Sequence, residues 1–155
     1  MKLSDLALLT LTALAGTHLA QNRSRDQFHR ESVAVERQER WLTRVMSNPA
    51  MAEAWAPKGM TGTKYQELMS GNLALCTLTA RYRQGKDSLD QLKFHTGNLM
   101  EIDCVRRYWE TFGALRQEEA LHGDRQLTAV NSVIADAYDA YKARSRRMEQ
   151  VAEVG

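Results

Sequence analysis

Residues 124–142 read DRQLTAVNSVIADAYDAYK. Leu127, Val130, Ile134, Ala137 and Tyr141 alternate at intervals of three and four, the spacing that holds apolar side chains on one face of an α-helix. The segment therefore predicts a helix that opens at Asp124 and is buried along one stripe. Beyond Lys142 the run Arg144, Arg146 and Arg147 is polar, and residues 144–155 read as a fraying tail.

Working back from that helix, the same periodicity recurs. Val105, Tyr108, Trp109, Phe112 and Leu115 mark a helix from Cys104 to about Leu121, with Asp103 as its expected N-cap and a stop near Gly123. Ser88 and Gln91 have capping-box spacing ahead of Leu89, Leu92, Leu99 and Ile102. Gly97 weakens the middle of that helix by about 1 kcal/mol relative to alanine. Thr63 and Gln66 have the same capping spacing for a helix whose broad apolar side runs from Tyr65 to Tyr82, with Gly85 as its terminator. A short helix starts at Pro49, capped by Asn48, and ends at Trp55 before a loop to Gly62.

Gln21 to Met46 contains neither Gly nor Pro and reads as one long charged helix. Phe28, Val35 and Leu42 recur every seven residues along it, while Arg23, Arg30, Arg37 and Arg44 make a parallel basic ridge. The fold class is accordingly all-α: an irregular helical bundle with a long N-terminal helix. The expected division is a hydrophobic segment and charged extension over 1–37, a helical domain over 38–143, and the tail 144–155.

A length of 155 residues suits one apolar core, and 43% hydrophobic with 26% charged residues is ordinary for a folded domain. The net charge of +2 and pI near 8.6 are too mild for a dedicated polyanion binder, so no nucleic-acid partner is expected. Cys76 and Cys104 lie far apart and outside any CxxC pair, and both read as buried free thiols.

Leu6 to Ala20 is apolar apart from threonines, Gly16 and His18, and is followed by Arg23, Arg25 and Arg30. Membrane anchor, buried or oligomer-forming helix, and cleaved signal all fit its length and flanks. As an anchor, its arginine side would face the cytoplasm.

The sequence offers no Glu-x-x-His or His-Glu-x-x-His spacing, no phosphate loop and no nucleophile elbow. No cofactor or metal site is expected, and the chain reads as nonenzymatic. The densest polar-aromatic cluster is Asp103 to Glu110, where Asp103, Arg106, Arg107 and Glu110 can meet at helical spacings beside Tyr108 and Trp109. Arg106 and Arg107 are the candidate partner-binding residues, since a guanidinium recognises a carboxylate or phosphate. Adjacent helical positions point about 100° apart, so one arginine should turn inward and the other outward.

Ser47-Asn48-Pro49, Trp55-Ala56-Pro57, Asn72, Tyr82 and Arg106-Arg107-Tyr108-Trp109 resemble, in that order, the small actinobacterial proteins of the domain-of-unknown-function family numbered 6082. That resemblance implies a helical body preceded by a hydrophobic segment, and it carries no functional residue across. The expected role is an interaction or regulatory protein with an unidentified protein partner, tethered to the cytoplasmic face of a membrane. The alternative is a soluble cytoplasmic subunit that forms a homo-oligomer through the N-terminal helix and the Phe28, Val35, Leu42 stripe.

Overall fold

The computed structural model describes residue 29 and residues 32–154. These are helical over 32–47 (α1), Pro49–Trp55 (α2), Gly62–Arg83 (α3), Leu89–Leu99 (α4), Asp103–Leu121 (α5) and Arg125–Val154 (α6). No strand occurs among the described residues, and the fold is all-α. The chain divides into two compact units, Met1–Arg37 and Gln38–Gly155. In the first, the described positions 29 and 32–37 are helical; the rest of the expected N-terminal helix, with Leu6–Ala20, lies outside the described residues.

Within the second unit α3 is the hub, packing against α2, α4, α5 and α6. Its length and broad apolar side let it do so: Leu68 and Leu75 are buried on it, meeting a core that includes Leu92 of α4, Val105 and Trp109 of α5, and Ile134 of α6. Leu42 and Val45 of α1 are fully buried in the same core. Leu42 is therefore committed to this body rather than free to line a surface stripe.

The α3–α5 seam is close because Gly71 has no side chain. A Cβ there would stand 2.4 Å from the Cys104 carbonyl oxygen and 2.9 Å from the Val105 Cα. Between α3 and α4, Arg81 donates a fork of two hydrogen bonds, 2.8 and 2.7 Å, to the buried Asp87 carboxylate. Those bonds hold the Asp87 carboxyl below the usual carboxylate range. The next residue, Ser88, forms the capping box with Gln91 that the sequence indicates.

Several termini differ from the sequence reading by local hydrogen bonding. Thr61, not Thr63, caps α3, its hydroxyl accepting from the Lys64 N–H. The residue before α5 is Ile102, which supplies no side-chain bond; Asp103 sits in the first turn instead, where its charge suits the helix N-terminus. Gly85 adopts φ 67°, the left-handed conformation that terminates α3. The polar run after Lys142 does not fray: α6 continues to Val154, with Met148 and Val151 exposed on it.

Candidate functional site

Asp103 opens α5, and one helical turn later its carboxylate meets both arginines. The two then diverge. Arg106 turns inward, its side chain 19% exposed: it donates to the Met100 carbonyl at the end of α4 (2.7 Å) and lies 3.3 Å from Asp103. Its guanidinium stacks 4.4 Å from the ring centroid of Tyr141 on α6. It thus ties three helices together. Arg107 points outward, 55% exposed, with its Nε 2.8 Å from Asp103 and Nη1 3.9 Å from Glu67 of α3. Glu110 does not join either arginine; it neighbours Tyr138, whose hydroxyl is shifted upward by burial and then by that carboxylate.

Tyr141 forms one wall of a groove of about 310 Å³ between α4 and α6. Small residues on both helices create it: Gly97 on α4 faces Ala137 and Ala140 on α6. A Cβ on Gly97 would meet nothing within 4 Å. The floor is apolar, made by buried Met100 and Val133. Lys93 and Asp136 stand on opposite walls, and neither has an ion-pair partner among the described residues. At the far end Arg144 pairs with Glu101 and lies 5.5 Å from the Tyr141 centroid. On α4, next in sequence to Lys93, Phe94 is 66% exposed.

A second polar cluster joins α1, α3 and α5. Gln38 Nε2 donates to Cys76 Sγ (3.3 Å), the thiol donates to Asn72 Oδ1 (3.2 Å), and Arg116 Nη1 donates to the same oxygen (3.3 Å). Burial pushes the Cys76 thiol up, outweighing the opposing pull of Arg116. The shift favours the protonated thiol, and through its hydrogen bonds the cluster bridges α1, α3 and α5. Asn131 extends it by donating to the Arg116 carbonyl (2.7 Å). Both cysteines are half-buried rather than fully enclosed. No group of three or more His, Cys, Asp or Glu side chains among the described residues could hold a metal ion.

The model of a family of unknown function, DUF6082, matches residues 4–153. The chain belongs to that family. No curated protein and no solved structure matches it. In this DUF6082 chain the residues on which the resemblance rested are spread through the body: Asn48 caps α2 through the Met51 N–H, Asn72 anchors the polar bridge, and Arg106 braces Tyr141. The sequence reading located Arg106 and Arg107 but missed the groove. Its walls come from residues some forty positions apart, and its signal is an absence of bulk at Gly97, Ala137 and Ala140. No described helix is long and apolar enough to cross a membrane, and Leu6–Ala20 lies outside the described residues.

Proposed function

We propose that this chain is a nonenzymatic interaction protein whose partner docks on the α4–α6 face. The observation that carries the reading is the groove itself: an apolar floor, small-residue walls, two charges of opposite sign with no ion-pair partner among the described residues, and on α4, next in sequence to Lys93, an exposed aromatic ring. Apolar recesses with a polar rim and a neighbouring aromatic anchor are the usual anatomy of a protein-binding surface. Arg106 acts as a positioning residue, since it fixes the Tyr141 wall through stacking and through the α4 carbonyl. Arg107, with its charge already shared between Asp103 and Glu67, is a flanking contact for an acidic partner.

A photoreactive phenylalanine in place of Phe94, exposed on α4 next in sequence to Lys93, tests this reading in the full-length chain in cells and leaves the recess over Gly97 open. A defined protein adduct is expected there and not at Lys58, an exposed loop position outside the groove lining. Illumination without any protein adduct at position 94 would overturn it.

Attachment to the cytoplasmic face of a membrane is the second part of the proposal, supported by the apolar run Leu6–Ala20 and its arginine flank. Full-length protein should sediment with membranes, whereas a variant lacking residues 1–20 should not. Full-length protein recovered wholly in the soluble fraction removes the tether.

A further inference from the structure

We propose that the occupant of the α4–α6 groove is the same face of a second copy of this chain, an inference that rests on the interaction reading and names its partner. The face is self-complementary. It carries a knob, the two-thirds exposed Phe94, one residue from Lys93 and three from Gly97 on the same helix. It also carries the hole, the open space over Gly97 between Ala137 and Ala140. In a two-fold association the surface that offers the knob also receives one, because each contact is made twice with the roles exchanged.

Charge sets the same arrangement. Lys93 stands on the α4 wall and Asp136 on the α6 wall, and neither is matched by an ion pair among the described residues. Turning one copy over the other about a two-fold axis that runs along the groove brings the α4 wall of each against the α6 wall of its partner. Lys93 then meets the partner's Asp136, and the reciprocal pair forms on the other side. Both charges are used, and each Phe94, carried on α4, is brought toward the partner's α6 wall of Ala137 and Ala140. Alternative occupants have less to recommend them: a polyanion would be opposed by Asp136, and a purely apolar ligand would leave both charges without a counter-ion.

The test uses purified full-length protein in sedimentation equilibrium, with Lys93→Asp and Asp136→Lys as separate variants. Both positions are exposed, so melts should match those of the unaltered chain. The unaltered chain should dimerise, and each variant alone should dissociate at least about tenfold more readily, since like charges then face each other twice. Mixing the two variants should restore the dimer, because the aspartate introduced at position 93 finds a lysine at position 136 in the other chain, and the reverse. An ion pair within one chain cannot be repaired by mixing. Phe94→Ser and Gly97→Leu should each weaken the dimer by removing the knob or filling the hole. A chain that is monomeric throughout, variants that dimerise like the parent, or a mixture that fails to recover would overturn the second-copy assignment. The crosslink at position 94 keeps this failure apart from that of the interaction reading. An adduct of two identical chains supports both, an adduct with a different protein sinks only the second copy, and no adduct sinks both.

Discussion

Two of the glycines in the helix interiors of this protein have opposite surroundings. Gly71 of α3 lies against the backbone of α5, so close that a single carbon atom would collide with the Cys104 carbonyl. Gly97 of α4 faces open space. Both weaken their own helix by about 1 kcal/mol relative to alanine. At Gly71 the weakening is offset by the close helix approach that lets Val105 and Trp109 pack into the core. At Gly97 nothing within the chain offsets it. A helical glycine without a packing reason points to something outside the fold, which is why the α4–α6 face, and not the α3–α5 seam, is the interaction surface proposed above.

The contrast can be broken or sharpened by substitution, beginning with the seam. Trp109, 5% exposed, should cost about 3–5 kcal/mol when replaced by alanine, through lost transfer energy and a residual cavity. Denaturant melts showing a loss below about 1 kcal/mol would mean that the seam is not a core. Gly71→Ala should destabilise by about 1–3 kcal/mol, because backbone rather than a flexible side chain blocks the added methyl. An unchanged melting temperature would erase the distinction between the two glycines.

Arg106 lies between the two regions, since it rises from α5 and braces the groove wall. Arg106→Ala should lose about 1–3 kcal/mol, the worth of a charged hydrogen bond and a stacking contact in a partly shielded setting. Gly97→Ala should do the reverse of Gly71→Ala and stabilise the protein by about 0.5–1 kcal/mol. A destabilised Gly97→Ala protein would show that the groove is tighter than its geometry indicates. Arg107→Ala should leave stability within about 0.5 kcal/mol, as for an exposed ion pair, and the same melts that score Arg106 would score it.

Periodicity, capping residues and composition were enough to determine that this chain is all-α, where most helices begin and end, that Tyr108 and Trp109 are core residues, and that Arg106 and Arg107 must face different ways. Those are local matters: a helix repeats every 3.6 residues, and a cap is satisfied within one turn. Tertiary structure alone decided which arginine turns inward, because that depends on Met100 and Tyr141 arriving from two other helices. It also decided that residues after Lys142 stay helical, and that Glu110 serves Tyr138 rather than an arginine. The groove lay furthest from the sequence reading, since Gly97 and Ala137 are ordinary small residues until two helices are set side by side. Sequence spacing records what a segment does with itself, whereas a recess is space left between segments, and only their packing creates it.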